Sequence, residues 1–132
     1  FDMGIISLDA VNAFLNSPLD EVVICSLPQG FEVEGKNIRL LRALYGPRSP
    51  LLWAQTVERE LKKLKFEEVP GVECLIFDGI IYYFYFVDNF VAIALPQHKK
   101  KLEQFKNTLM DTIEMRECEP DRFLGIRTIR NL

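Results

Sequence analysis

Short apolar runs separated by polar or turn-forming residues dominate the chain. The runs end at Asp, Gly or Pro and are rich in β-branched and aromatic residues, which is typical of strands. Asp78-Gly79 lies between two such runs and predicts a two-residue hairpin turn, because both residues tolerate the backbone angles of that turn. The predicted strands cover residues 5–8, 22–27, 37–44, 73–77, 80–87, 90–95 and 123–129.

Two segments have the spacing of amphipathic helices. The first covers residues 51–66, follows the start signal Ser49-Pro50, and has an apolar stripe of Trp53, Val57, Leu61 and Leu64. The second runs from Pro96 to about residue 113, with a stripe of Leu102, Phe105, Leu109 and Ile113. The predicted order along the chain is strands, a helix, three strands in antiparallel hairpins, a second helix and a last strand. This order predicts an α+β fold, an antiparallel sheet with two helices packed on one face.

Composition and charge narrow the function classes. With 132 residues, 48% of them hydrophobic and 27% charged, the chain is expected to fold as a single globular domain over residues 1–132. The net charge of −3 and a pI near 5.2 exclude the strongly basic surface of a stand-alone nucleic-acid binder. Cys25, Cys74 and Cys118 lie far apart and His98 is the single histidine, which excludes a structural zinc site. Isolated cysteines indicate an intracellular location, cytoplasmic or nuclear.

The most apolar stretch does not have the pattern of a membrane helix. Asp88 and Asn89 interrupt residues 79–95, so two strands joined at these residues are predicted, with no membrane partner. Lysine and arginine cluster on both predicted helices, where glutamates are interleaved. A solvated helix face is the simpler interpretation, and contact with nucleic-acid phosphates is the alternative. The clustered residues are Arg59, Lys62, Lys63, Lys65, Lys99, Lys100, Lys101 and Lys106.

Several segments, taken in order, carry a resemblance to one family. They are residues 7–16 (SLDAVNAFLN), 27–31 (LPQGF), 38–46 (IRLLRALYG), 49–53 (SPLLW), 86–89 (FVDN) and 123–126 (FLGI). Each is weak alone, but their order and spacing are specific and cover nearly the whole chain. Together they resemble the reverse transcriptase of copia-type LTR retrotransposons, most closely the fungal forms.

The resemblance implies an RNA-directed DNA polymerase palm with a ferredoxin-like arrangement, Mg²⁺ as cofactor and a nucleic-acid template-primer as partner. The family's first catalytic Asp is matched by Asp9, and its Asp pair in the hairpin turn is matched by Asp88 and Asn89. Asp9 and Asp88 would be the metal ligands, since Mg²⁺ prefers hard oxygen ligands.

Asn89 provides an amide where the family has a third carboxylate. If the change costs several kcal/mol of charge stabilisation, activity falls roughly 10²–10⁴-fold, so an impaired nucleotidyltransferase is expected. Taken without the other segments, Asp88-Asn89 is better interpreted as an ordinary hairpin turn.

Two further residues match substrate-binding positions of the family. Phe14, five residues after Asp9, matches a steric gate against a ribose 2′-hydroxyl, with core packing as the alternative. Arg48 lies in the loop that would contact the nucleotide. That loop reads LYGPRSP, one residue shorter than the family's LYGLRRSP. The shortening beside Pro47 is expected to re-aim Arg48.

Three hypotheses follow. The family's basic fingers segment, thumb and RNase H domain find no match in residues 1–132, so a palm with impaired polymerase activity is the first. The second is a domesticated or remnant palm that serves as a self-associating or nucleic-acid- or protein-binding module, and its exposed apolar surface predicts a homodimer. The third is an unrelated RNA-recognition-like module, in which aromatic residues of 82–86 would stack on bases.

Overall fold

The computed structural model describes residues 2–46 and 48–129. Short 3₁₀ turns lie at Ala13–Asn16 and Pro96–His98. The helices are α1 (Ser49–Lys63) and α2 (Lys99–Thr112). The strands are β1 (Gly4–Ala10), β2 (Ile24–Cys25), β3 (Ile38–Arg39), β4 (Glu67–Glu68), β5 (Leu75–Phe77), β6 (Tyr82–Phe86), β7 (Asn89–Ala94), β8 (Met115–Cys118), β9 (Arg122–Phe123) and β10 (Ile126–Arg127).

A six-stranded sheet in the order β4-β5-β6-β7-β1-β8 forms the centre of the fold. Every neighbouring pair in it is antiparallel. Strands β2 and β3 form a separate two-stranded ribbon, and β9 and β10 form another. The predicted class, α+β with an antiparallel sheet and two helices, is therefore confirmed.

The hydrophobic core lies between one face of this sheet and the two helices. Leu8, Tyr83 and Phe90 contribute from three strands, and both predicted helical stripes join them in one buried cluster. Leu64 is the stripe residue that is only partly buried. Each fully buried Leu or Phe side chain contributes about 1.5–3 kcal/mol relative to exposure. The two helices are thus held to the sheet by the residues whose spacing predicted them.

Helix α1 begins and ends where local chemistry favours it. Pro50 lies in its first turn, where a missing backbone N–H costs nothing, and the hydroxyl of Ser49 donates a hydrogen bond to the Leu44 carbonyl. Lys62 and Lys63 in the last turn complement the negative end of the helix dipole. At Lys65 the chain turns with φ +63° toward β4.

The predicted two-residue turn at Asp78-Gly79 is wrong. Phe77 pairs with Tyr82, so the connection spans residues 78–81. The Asp78 carboxylate accepts hydrogen bonds from the backbone N–H groups of Ile80 (2.9 Å) and Ile81 (2.7 Å). These bonds stabilise a longer turn than the dipeptide alone indicates.

Other strand predictions are too long or missed. Residues 22–27 and 37–44 contribute only β2 and β3, and 123–129 is broken into a β9–β10 hairpin. Leu124 and Gly125 connect the two strands and both have positive φ. A two-residue hairpin loop of the type I′ turn requires positive φ at both positions. β4 and β8 carry mainly polar side chains, so apolar alternation did not reveal them.

Four of the eight basic residues clustered on the helices form ion pairs. Lys63 contacts Glu60 at 2.8 Å, Lys101 contacts Asp78 at 2.7 Å, and Lys106 bridges two glutamates. This favours the interpretation of the clusters as solvated, salt-bridged faces. Among residues 2–46 and 48–129, the structure contains no helix with the length and apolarity needed to cross a bilayer.

Candidate active site

The sheet register places the predicted catalytic residues side by side. Asp9 is paired with Asn89 of β7 on one side and with Arg116 of β8 on the other. Phe86 of β6 continues the row beyond Asn89. Paired residues of neighbouring strands point to the same face. Because Leu8 and Ala10 belong to the core, the row lies on the face opposite the helices.

The hairpin between β6 and β7 brings Asp88 to the same place. Its loop consists of Val87 and Asp88, since Phe86 pairs with Asn89. The backbone N–H of Ala10 donates to the Asp88 carbonyl at 2.7 Å, which ties the end of β1 to this turn. The indole N–H of Trp53 donates to the Val87 carbonyl. The structure therefore brings Asp9, Asp88 and Asn89 together at one sheet end.

The Asp9 carboxylate forms an ion pair with an arginine. Arg116 Nη2 lies 2.6 Å from Asp9 Oδ2, and the arginine side chain is 71% exposed against 21% for the aspartate. The hydrogen bond to Asp9, followed by the charge of that carboxylate, raises the pKa of Arg116. The Asn89 amide donates to Asp88 Oδ1 over a long 3.4 Å. Charge at the site is thus partly balanced within the chain.

Phe14 is packed into the protein core. It lies in the 3₁₀ turn after β1, belongs to the buried cluster, and contacts Tyr45 edge-on at a ring-centroid distance of 4.7 Å. A sugar would reach the Phe14 ring only where Tyr45 leaves it open. The steric-gate role stays a prediction, and core packing explains the observed burial.

Arg48 is engaged by two carboxylates. Its guanidinium lies 2.5 Å from Asp20 Oδ2 and 2.6 Å from Glu21 Oε1. The hydrogen bond to Glu21, then the charge of Asp20, raises the pKa of Arg48. A nucleotide phosphate would have to displace these partners, so the substrate-binding role of Arg48 also stays a prediction.

The open sheet face presents fewer aromatic rings than the sequence indicated. Tyr83 is fully buried on the helix side. Phe84 packs edge-on against Phe123 of β9 at 5.2 Å, so the β9–β10 hairpin covers it. Tyr82 and Phe86 remain exposed on β6. The base-stacking surface proposed for an RNA-recognition-like module is therefore reduced to the two ends of one strand.

Comparison with known proteins decides the family. The model of the family described as Reverse transcriptase (RNA-dependent DNA polymerase) matches residues 2–131. The chain belongs to the reverse transcriptase family. A Saccharomyces cerevisiae protein named for the transposon Ty5-1 is 33% identical over 129 residues, and a retrovirus-related Pol polyprotein from the Nicotiana tabacum transposon TNT 1-94 is 25% identical over 139 residues.

These matches confirm the copia-type resemblance and remove the hypothesis of an unrelated RNA-recognition-like module. They cover 90% and 98% of this chain, but only 41% of the yeast protein and 10% of the tobacco polyprotein. The chain therefore spans less than half the length of either relative. Reverse transcriptases as a family use a nucleic-acid template and divalent metal ions.

The side chains of the candidate site have donor atoms of the kind that a divalent ion needs. Asp9 and Asp88 supply carboxylates and Asn89 an amide oxygen, all of them hard ligands of the kind Mg²⁺ prefers. Within the described residues, no three Asp, Glu, His or Cys side chains converge as a metal-binding group. Asp9, Asp88 and Asn89 therefore have the donor chemistry to hold a divalent ion, with two charged ligands among the three.

Two residues of the site were not predicted from the sequence. Arg116 lies on β8, a strand without an apolar signature, so nothing indicated that it reaches Asp9. Trp53 was recognised as a core residue of α1, but not as a donor to the β6–β7 hairpin. A buried Trp normally needs a partner for its N–H, and that requirement was the available signal.

Proposed function

We propose that this chain is the palm of a copia-type reverse transcriptase that binds template-primer and one divalent cation, with impaired polymerisation. The observation that carries the proposal is the cross-strand pairing of Asp9 with Asn89, one residue beyond Asp88. Phosphoryl transfer depends mainly on positioning and charge stabilisation. The Asp9 carboxylate on β1 and the Asp88 carboxylate in the adjoining β6–β7 loop supply part of both.

The strand order supports a palm with the ferredoxin-like arrangement. Along the chain, β1 is followed by α1, then by the β6–β7 hairpin, α2 and β8. In the sheet these four strands lie in the order β8-β1-β7-β6. This is the βαββαβ pattern, with β4 and β5 added at the β6 edge. It puts Asp9 on a central strand, beside the turn that carries Asp88.

The chain's own residues have distinct roles in this proposal. Asp9 and Asp88 hold the cation, which when bound supplies positive charge to the transferring phosphoryl group. Asn89 contributes an oxygen without charge. Phe86 provides exposed aromatic surface beside the site for a primer or template base, whereas Tyr82 is exposed at the opposite end of β6. Arg116 is the cationic group adjoining Asp9 and could contact phosphate once released from it.

Impairment follows from two features of the same row. Asn89 removes one negative charge from the place where positive charge must be concentrated. Arg116 satisfies Asp9 with a guanidinium at 2.6 Å, so a metal ion must displace it. Both effects lower the affinity of the site for the cation, and both come from the direct cross-strand neighbours of Asp9.

The decisive experiment is a Mn²⁺ titration, followed by electron paramagnetic resonance, of the native chain, Asn89→Asp and Asp9→Asn. We expect weak binding by the native chain and about tenfold or more tighter binding by Asn89→Asp, because a further carboxylate joins the ligand set. Asp9→Asn, which keeps size and shape, should abolish the binding. Primer extension by Asn89→Asp then tests whether polymerisation returns.

Absence of Mn²⁺ binding at millimolar concentration in both the native chain and Asn89→Asp would contradict the metal-binding palm. Equal binding by the native chain and Asp9→Asn would contradict the location of the site. A site that binds the ion without primer extension in Asn89→Asp would restrict the proposal to binding.

A second candidate function is self-association as a homodimer, which the surface of the loop region favours. The described residues of 15–46 and 48–51 expose many large apolar side chains, and apolar surface that is exposed over a large area marks interaction sites. A second copy presents the same surface and is the occupant that we propose. The exposed residues are Leu15, Val22, Ile24, Phe31, Val33, Leu41, Leu44, Tyr45 and Leu51.

Sedimentation velocity over a concentration series tests the dimer. We expect a concentration-dependent shift that Leu41→Asp abolishes, because Leu41 is 79% exposed in the proposed interface. Ile126→Asp, at an exposed apolar position on β10, is the matched control and should leave the shift unchanged. A single monomeric species at every concentration would exclude the homodimer.

A further inference from the structure

We infer that Trp53 is a positioning residue for Asp88, acting through the backbone of Val87. The inference rests on the proposed function, because it concerns the residue that holds the turn of the metal site. The hydrogen bond of Trp53 goes to the backbone and not to a carboxylate. Its indole N–H donates to the carbonyl of Val87, the first of the two residues in the β6–β7 loop.

Val87 needs such an anchor because its backbone is strained. Its φ is +53°, in the left-handed region that β-branched residues rarely adopt. In two-residue hairpins a loop residue with positive φ is commonly Gly, Asn or Asp. Strain of this kind persists only where surrounding contacts hold it. Without a partner for its carbonyl, the Val87 peptide is expected to rotate toward a relaxed conformation.

Trp53 is itself rigid, so it is able to hold the turn. The side chain is 2% exposed, and the indole meets Phe90 edge-on at a centroid distance of 6.2 Å with an interplanar angle of 87°. Packing fixes the ring independently of its hydrogen bond. The N–H is therefore presented to the Val87 carbonyl from α1 without further ordering.

The loop backbone is held on both sides of the Val87–Asp88 linkage. Trp53 binds the Val87 carbonyl, and the Ala10 N–H binds the Asp88 carbonyl at 2.7 Å. Ala10 directly follows Asp9 on β1. The two hydrogen bonds thus fix the backbone of Asp88 relative to that of Asp9. A rotation of the Val87 peptide would lengthen the Ala10–Asp88 bond and separate the two metal ligands.

The test compares the native chain with Trp53→Phe, Val87→Gly and the double variant. Phe keeps an aromatic ring in the core but lacks the N–H, and glycine at position 87 removes the strain of the positive φ. Hydrogen exchange is followed at the Ala10 amide, with the fully buried Leu109 of α2 as the internal reference. Chemical shifts of the Asp88 and Asn89 amides are recorded in parallel.

In Trp53→Phe we expect the ratio of the Ala10 to the Leu109 exchange rate to rise about five- to tenfold, the effect of one lost hydrogen bond. The double variant should return the ratio and the two amide shifts to near native values, because a glycine at position 87 needs no anchor. Equal acceleration at Ala10 and Leu109 would mean that Trp53 only fills the core, and would overturn the inference. Failure of Val87→Gly to rescue would overturn it as well.

A Mn²⁺ titration of the same variants in the Asn89→Asp background links the turn to the ligands. Trp53→Phe should weaken binding about five- to tenfold, and adding Val87→Gly should restore it. If no variant binds the ion, the metal-binding proposal fails, while the exchange ratio still decides the role of Trp53. If binding is strong and unaffected by Trp53→Phe, the positioning role is wrong although the site is correct.

Discussion

The guanidinium of Arg116 donates a hydrogen bond to Oδ2 of Asp9 at 2.6 Å across the β1–β8 ladder. The contact joins residues 107 positions apart in the chain and puts a positive charge on the first predicted metal ligand. In this state Asp9 already has a cationic partner. A metal ion that binds Asp9, as we propose, would therefore compete with Arg116 for this carboxylate.

Replacing Arg116 with Gln should tighten Mn²⁺ binding by about two- to fivefold, because the ion no longer displaces a guanidinium. The gain is small since exposed ion pairs are weak and screened by salt. Calorimetric titration at low and high salt measures it, and the difference between native and variant should shrink at high salt. Arg122→Gln, at an exposed position of β9 outside the row, is the control. Weaker binding by Arg116→Gln would contradict competition between Arg116 and the ion for Asp9.

Asn89→Asp should make folding stability dependent on metal. Residues 89 and 9 are direct cross-strand partners, and like charges in that relation cost about 0.2–1 kcal/mol. Urea unfolding without metal should show this loss, and millimolar Mg²⁺ should reverse it because the folded state binds the ion. The native chain should respond less to Mg²⁺. A metal-independent stability of Asn89→Asp would argue that no ion binds between these strands.

Tyr83→Phe should stabilise the protein. The Tyr83 hydroxyl is buried and finds no hydrogen-bond partner among the described residues, and its burial raises the pKa of Tyr83 well above the usual value. A buried hydroxyl without a partner costs about 1–3 kcal/mol, which Phe avoids with nearly the same shape. Chemical denaturation measures the gain. Tyr82→Phe, at an exposed position on the same strand, should change little. A loss of stability in Tyr83→Phe would reveal a bound water.

The turn at residues 78–81 should give the protein a specific acid sensitivity. Burial opposes ionisation of Asp78, but Lys101 and the N–H groups of Ile81 and Ile80 outweigh it and lower the pKa of Asp78. A carboxylate with a lowered folded-state pKa stabilises the fold above its unfolded pKa, near 3.9, and loses that contribution as pH falls through the folded value.

Asp78→Asn should therefore cost about 1 kcal/mol at neutral pH and progressively less below about pH 4. Unfolding measured by urea across this pH range provides the comparison. Asp111→Asn, at an exposed position of α2, is the control and should show no such convergence. A constant difference between native and Asp78→Asn down to about pH 2 would show that the charge of Asp78 is not what stabilises the turn.

Local patterns predicted the parts of the fold that depend on local burial. The stripes Trp53–Val57–Leu61 and Leu102–Phe105–Leu109 became the core faces of α1 and α2. The same reasoning failed at β4 and β8, whose side chains are mainly exposed. Those strands form because β5 and β1 provide backbone hydrogen-bond partners for them. Backbone hydrogen bonds do not depend on the side chains, so the order of apolar and polar residues does not reveal such strands.

By itself, the sequence determined the α+β class, both helices and the identity of Asp9, Asp88 and Asn89 as the residues of the candidate site. Periodicity and motif order depend on residues close together in the chain, and they can be read without coordinates. Only the tertiary structure shows that Arg116 forms an ion pair with Asp9 and that the indole N–H of Trp53 donates to the Val87 carbonyl. Both contacts join distant segments, and their geometry follows from strand register and helix packing, which only the folded chain defines.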